Sequence, residues 1–312
     1  MAKAAMLFPG QGSQYVGMGK DLVEAYPRAR ELFERADDAL GFALSRLCFE
    51  GDAETLTATK NAQPAILLHS VAAARVLREE AGVEPAIAAG HSLGEYSALV
   101  AAGVLDEIDA LRIVRRRGEL MYEAGLRRPG TMAAIIGLER GDVEEACREA
   151  SDGEIVVVAN VNSPGQIVVS GHLGAVERAM KAAAARGAKK TIPLNVSGAF
   201  HSPLVAGAEK ELVAYIESFA LRGASIGVVA NADARIVRTR EEIVDALSRQ
   251  LTSPVRWSES MRVLLAEWSG PVLEVGPGKV LSGLLKRIDG ARSAQCAGTA
   301  AELAALAAAP AA

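Results

Sequence analysis

"AIAAGHSLGEYSALVAAGVL", residues 86–105, breaks into three pieces. Residues 86–90 are a short apolar run of the kind that forms a buried strand, "HSLG" is a turn, and "EYSALVAAGVL" carries a helix. A buried strand that passes through a turn into a helix is half of a βαβ unit. It points to an α/β protein built on a parallel sheet. The same stretch matches Gly-x-Ser-x-Gly from Gly90 to Gly94, the pattern of a nucleophile elbow, in which the serine sits on a strained turn with its hydroxyl exposed. A second reading competes, because Ser92 and Glu95 are also spaced as a capping box. The flanking glycines favour the elbow, since a cap requires neither.

The flanking sequence repeats the rhythm. "KAAMLF" reads as a buried strand ending in the glycine turn "PGQGSQ". A helix is predicted over 19–39 and another over "PAILLHSVAAARVLREE", with Pro64 in its first turn. From residue 131 the order changes to strand, helix, two strands, helix, strand: "TMAAIIGL", "RGDVEEACREAS", "EIVVVANV", "GQIVVSG", "LGAVERAMKAAAARG" and "AKKTIPL". That βαββαβ order is a ferredoxin-like unit. Afterwards "SGAFHSPL", helices over "VAGAEKELVAYIESF" and 240–251, and the strands "SIGVVAN" and "PVLEVG" resume the α/β pattern. We therefore expect a discontinuous large domain over 1–127 and 198–312, with a small insertion over 128–197.

Composition sets outer bounds. The 312 residues are half hydrophobic and carry a formal net charge of −4, which argues against general nucleic-acid binding. Three scattered cysteines (Cys48, Cys147, Cys296) have no metal-like spacing and suit buried thiols of a reducing compartment. The apolar run near the N-terminus is too short for a signal peptide, and no stretch suits a membrane span. The expectation is a cytoplasmic chain with no membrane partner, its Ala-rich tail "AAELAALAAAPAA" a frayed helix.

If Ser92 is a nucleophile it needs a base, and the chain has four histidines. His69 lies among leucines in a helix and reads as a core residue. His91 neighbours Ser92 in an extended strand, so its side chain should point away and serve positioning. His172 falls in a loop of the insertion and reads as solvated. His201, in the loop where the large domain resumes, is the best base by elimination. No acid follows an evident core strand between Ser92 and His201, which leaves main-chain oxygen as the alternative support for the imidazole. The unpaired last carbonyls of the helix over 240–251, near Gln250, are available. For an oxyanion, the N–H of Leu93 beside the serine and an N–H in the glycine turn, such as that of Gln11, are candidate donors. A second Gly-x-Ser-x-Gly, "GASIG" at 223–227, precedes a strand rather than a helix and is set aside. "EVGPGKV" lacks phosphate-loop spacing and reads as a tight strand–helix turn. No His/Cys cluster suggests a metal.

"ALRIVRRRGELM", residues 110–121, adds an anomaly. Helical phase puts Leu111, Ile113, Val114, Leu120 and Met121 on one face, with Ala110 and Gly118 among them. Arg112, Arg115, Arg116 and Glu119 fall opposite, as a solvated face. Arg117 projects from the apolar stripe, where a permanent charge needs a negative partner. That partner is either an internal Asp or Glu or a bound anion.

Eight blocks then resemble one family: "FPGQGSQYVGMG", "GHSLGEYSAL", "RRRGELM", "MAAIIGL", "NVNSPGQIVVSG", "FHSPL", "LTSPVRW" and "LEVGPGKVLSGLL". In this order they resemble the malonyl-CoA:acyl carrier protein transacylases. The resemblance implies an α/β-hydrolase-like large domain with a parallel sheet core and an inserted ferredoxin-like small domain. It implies Ser92 as nucleophile and His201 as base, a Ser–His dyad held by the main-chain carbonyl of Gln250. It also implies oxyanion donors at Gln11 and Leu93, and Arg117 as the grip on the malonyl carboxylate. Phe200 resembles the malonyl-selecting variants of related polyketide acyltransferase domains. Gln63 joins the expected substrate-binding set, with Asn160 and Asn162 toward coenzyme A. Malonyl-CoA and acyl carrier protein are the implied partners of a monomer without cofactor, coenzyme A thioester being a substrate. A serine esterase or thioesterase, a free-standing polyketide-synthase acyltransferase and a silent carrier-protein-binding module are the rivals.

Overall fold

In the computed structural model, which describes residues 2–308, the elements are as follows. The strands are β1 (Ala2–Phe8), β2 (Val83–Gly90), β3 (Thr131–Ile136), β4 (Val156–Ser163), β5 (Gln166–Gly171), β6 (Lys190–Pro193), β7 (Gly227–Val229), β8 (Ile236–Val237), β9 (Val272–Glu274) and β10 (Gln295–Cys296). The helices of the first half are α1 (Lys20–Ala25), α2 (Pro27–Leu40), α3 (Leu44–Glu50), α4 (Ala53–Thr57), α5 (Thr59–Ala81), α6 (Gly94–Ala101) and α7 (Glu107–Arg127). Those of the second half are α8 (Arg140–Ala150), α9 (Leu173–Ala185), α10 (Ala206–Glu217), α11 (Arg240–Gln250), α12 (Trp257–Glu267), α13 (Val280–Ile288) and α14 (Ala300–Ala308). The last four residues of the Ala-rich tail lie outside the described residues.

The large sheet runs β10-β9-β1-β2-β7-β8, all parallel except β8. Its central strand shows why "KAAMLF" is apolar throughout. Ala4, Met6 and Phe8 face one core with α5 and α7, while Ala5 and Leu7 face the other with α12 and α13. A strand covered on both faces reads as a continuous apolar run, and each large side chain so buried contributes roughly 1.5–3 kcal/mol.

The small sheet, β4-β5-β3-β6, is antiparallel. One face packs Ile135, Ile167 and Val169 under α8 and α9, and the other turns Met132, Ala134 and Val168 toward the large domain. Main-chain bonds stitch the two sheets' regions together: Val161 N–H to the Val255 carbonyl at 2.9 Å, and Val255 N–H to the Ala159 carbonyl at 2.8 Å. The mixed α/β architecture with a parallel core and a ferredoxin-like strand order agrees with the fold read from the sequence.

Local readings differ in four places. The helix expected over 19–39 is broken at Tyr26, which is extended, and restarts with Pro27 at its first position. The residue before a proline disfavours helical geometry. α5 starts five residues before Pro64, so this proline lies inside the helix rather than in its first turn. A proline there removes one N–H and releases the carbonyl of Lys60. Arg115 takes that carbonyl at 2.9 Å, together with Asn61 Oδ1 at 2.8 Å. Arg115 is therefore a structural clamp between α5 and α7, not part of a solvated face. His172, expected to be solvated, is half-buried, and its Nδ1 accepts from the Ile155 N–H at 2.9 Å. No helix among the described residues is long and apolar enough to cross a membrane.

Candidate active site

Gln11 follows β1, Ser92 follows β2 and Asn231 follows β7, so three neighbouring parallel strands deliver polar groups at their carboxyl ends, where open α/β sheets build sites. Ser92 sits in the left-handed region (φ 51°), a conformation that costs of order 1 kcal/mol or more for a non-glycine residue. The turn is tight enough to demand its glycines. A Cβ on Gly90 would lie 1.9 Å from Gly94 carbon, and one on Gly94 would lie 2.2 Å from the Phe8 carbonyl oxygen. The Ser92 side chain caps no helix, since the residue at the N-cap of α6 is Leu93 and makes no side-chain cap. The Ser92 hydroxyl instead lies 2.8 Å from His201 Nε2. Its N–H donates to Asn231 Oδ1 at 2.7 Å, while Asn231 Nδ2 donates to the Gly90 carbonyl at 2.7 Å. Glu95, the other half of the supposed capping box, turns inward and is buried.

His201 is also left-handed (φ 55°) and 3% exposed. Its Nδ1 faces two carbonyls, those of Gln250 and Ser253, each at 3.1 Å. Two acceptors on Nδ1 select the tautomer with the proton there, which leaves the Nε2 lone pair for the serine hydroxyl. Gln250 therefore shares its expected role with Ser253. Burial, then the nearby positive Arg117, then His91, push the His201 imidazole down to about 3. The imidazole is thus neutral across the ordinary range. For a base that must be neutral to act, the acid limb of kcat/KM lies well below pH 6.5, the usual histidine value. Rates measured from about pH 5 to 8 should stay flat in the free-enzyme profile; half-loss near pH 6.5 would contradict this environment.

α7 buries Ala110, Leu111, Ile113, Val114, Arg117, Gly118, Leu120 and Met121, the face read from helical phase with its misplaced arginine included. Arg117 is 1% exposed. Its guanidinium donates to Gln63 Oε1 at 2.6 Å, Gln250 Oε1 at 3.1 Å and Ser92 Oγ at 3.0 Å. Among the described residues it has no ion pair, and its Nε has no hydrogen-bond partner. No carboxylate hydrogen-bonds or pairs with it among the described residues; Glu95 acts on it across space and is linked to it by hydrogen bonds through Gln250.

A cavity of about 330 Å³ opens over Ser92, walled by His201, Phe200 and Arg117 from the large domain and by Met132, Asn160 and Asn162 from the small one. Gln11 and Leu93 line it too, and their N–H groups have no partner among the described residues. Asn162 Oδ1 holds His91 Nε2 at 2.9 Å, so His91 points to the cavity wall rather than away from the site, though not at the serine. Asn160 Oδ1 is buried without a partner. Gln63, expected to touch substrate, is fully buried and does not line the cavity. It stands behind Arg117, in a chain that runs through Thr59 (3.0 Å) to the Gln11 side chain (2.9 Å). The remaining histidine, His69, is a core residue whose Nε2 bonds the Gly298 carbonyl at 2.7 Å, and Ser225 of the second Gly-x-Ser-x-Gly only bonds the Ala102 carbonyl at 2.9 Å.

Sequence reasoning missed Asn231, Glu95, Ser253 and Thr59. Asn231 left one signal, a lone polar residue closing the apolar strand "SIGVVAN". Ser253 left none, since it acts through its main chain.

The acyl transferase domain model matches residues 5–306. A malonyl CoA-acyl carrier protein transacylase of Bacillus subtilis is 48% identical over 290 residues, 93% of this chain and 91% of that protein. The Escherichia coli protein of the same name is 45% identical over 288 residues, 92% and 93% of the two chains. An acyl carrier protein S-malonyltransferase of Vibrio cholerae superposes with TM-score 0.93 at 44% identity, covering 98% of this chain and 100% of that one. A malonyl-transacylase solved in complex with a type II PKS acyl-carrier protein gives TM-score 0.94 at 44% identity, covering 98% and 99%. With the model spanning nearly the whole chain and these relatives matching along more than nine-tenths of it, the chain belongs to the acyl transferase domain family.

Proposed function

We propose that the chain transfers a malonyl group from malonyl-CoA to the phosphopantetheine thiol of an acyl carrier protein, through an ester on Ser92. The observation that carries this reading is the buried Arg117 guanidinium, 3.0 Å from Ser92 Oγ, facing a cavity with no carboxylate of its own to meet. Close relatives bear the name of that activity.

His201 Nε2 accepts the hydroxyl proton as Ser92 Oγ attacks the thioester carbonyl. The N–H groups of Gln11 and Leu93 receive the oxyanion. The tetrahedral intermediate collapses with loss of the coenzyme A thiolate, which recovers the proton from His201. In the second half the carrier thiol gives its proton to Nε2 as its sulfur attacks the malonyl-serine ester, and His201 returns that proton to the departing Ser92 Oγ. Coenzyme A enters with the substrate, so the chemistry requires neither a metal nor a resident cofactor. Malonyl presents a carboxylate to Arg117, a charge-assisted contact. Acetyl leaves a buried guanidinium without a counter-charge, a difference on the order of 3–5 kcal/mol. A neutral-ester hydrolase has no use for this arginine. The free thiols fit a reducing cytoplasm, and a monomer is sufficient because one chain supplies every group named.

Intact-mass measurement after mixing with malonyl-CoA should show one malonyl adduct, discharged on adding carrier protein bearing its thiol. Equal labelling by acetyl-CoA, or discharge to water as fast as to the carrier, would overturn the reading.

A further inference from the structure

Glu95 is a buried carboxyl for which none of these steps has a direct use. It lies three residues beyond the nucleophile, is 2% exposed and does not line the cavity. Its Oε2 accepts from Gln250 Nε2 at 2.7 Å and from the Asn231 N–H at 3.2 Å. Both donors belong to residues that hold the elbow. Gln250 in particular is held through both atoms of its side-chain amide and through its carbonyl. Its Nε2 also donates to the Ser92 carbonyl at 3.0 Å, its Oε1 accepts from Arg117, and its main-chain carbonyl faces His201.

The two ends of a glutamine amide are nearly alike in shape and opposite in hydrogen-bond sense. With Oε1 toward Arg117, acceptor meets donor. Rotated by half a turn, Gln250 would aim N–H groups at the guanidinium, donor against donor, and its oxygen at a carboxyl oxygen. The two acceptors on Nε2, Glu95 Oε2 and the Ser92 carbonyl, oppose that rotamer together, Glu95 making the shorter contact.

We propose that Glu95 is a positioning residue for acyl selection: its Oε2 sets the side-chain amide of Gln250 with the oxygen toward Arg117, and thereby holds the guanidinium where it meets the acyl carboxylate. Burial pushes the Glu95 carboxyl up to about 7; with two N–H groups already donating to Oε2, a proton taken up goes to Oε1 and leaves Oε2 an acceptor.

The inference rests on the malonyl-transfer reading, which labelling of the unmodified chain tests by itself. Glu95→Asp keeps the charge but withdraws the oxygen by about one carbon–carbon bond, ~1.5 Å. Glu95→Gln gives up the charge and keeps an oxygen. The kcat/KM ratio of malonyl-CoA to acetyl-CoA should fall about tenfold or more in Glu95→Asp, mainly through KM for malonyl-CoA, and stay within about threefold in Glu95→Gln. An unchanged ratio in Glu95→Asp, whether both rates fall together or neither does, overturns the role. Should Glu95→Asp not fold, Gln250→Leu, which keeps the main-chain carbonyl on His201, must lower the same ratio, and an unchanged ratio there is equally fatal. If the unmodified chain takes no malonyl group, the transfer reading fails. A normal adduct with an unchanged ratio removes only Glu95.

Discussion

Ser92→Ala abolishes the malonyl adduct and lowers transfer by on the order of 10⁵-fold, while the protein stays folded. The substitution removes one oxygen and adds no atom to a turn whose backbone is set by Gly90, Gly94 and the Asn231 bridge. His201→Ala falls nearly as far, and the double variant little further, because the two side chains act as one unit across their 2.8 Å contact. Intact mass and a coenzyme A release assay read both quantities. A malonyl adduct persisting on the Ser92→Ala protein would place the nucleophile elsewhere and sink the mechanism.

Arg117→Ala inverts acyl preference. Malonyl transfer drops on the order of 10³-fold, since a buried charged contact is lost outright, while acetyl transfer stays within about tenfold. The variant also carries a pH signature. Arg117 is the second largest influence holding the His201 imidazole down; without that positive charge the value moves back toward the ordinary one. The acid limb of kcat/KM for acetyl-CoA then shifts to higher pH relative to the parent. Equal loss of malonyl and acetyl transfer in a folded protein, with no shift of the limb, would reduce Arg117 to a packing role.

Much of this site is visible in the sequence because it is built on regular elements. Arg117 betrays itself by phase alone: a helix with a clean apolar face cannot hide a guanidinium in it. Ser92 is visible because an elbow demands glycines on both sides at fixed spacing. Glu95 was masked for the opposite reason. Its spacing from Ser92 satisfies a common local pattern, and only the tertiary position of Gln250, 155 residues along the chain, draws it inward. Ser253 acts through a main-chain oxygen, which every residue owns, so composition carries no trace of it. Gln63 is expected among the residues that touch substrate, yet it touches Arg117 instead; which neighbour a buried polar side chain meets is set by tertiary packing. The break at Tyr26 and the early start of α5 are limits of a different kind: one proline ends a helix through the residue before it, while another is carried inside a helix whose freed carbonyl finds Arg115.

The strand order has a consequence for how the chain comes off the ribosome. β1 is made first but pairs with β9, whose residues 272–274 emerge near the end. The small sheet, by contrast, closes within residues 131–193 and can form early from local contacts. Ser92 emerges well before His201, Asn231, Gln250 and Ser253, every one of the groups that orient or activate it. A nascent chain thus carries an inert serine until most of its length has been synthesised.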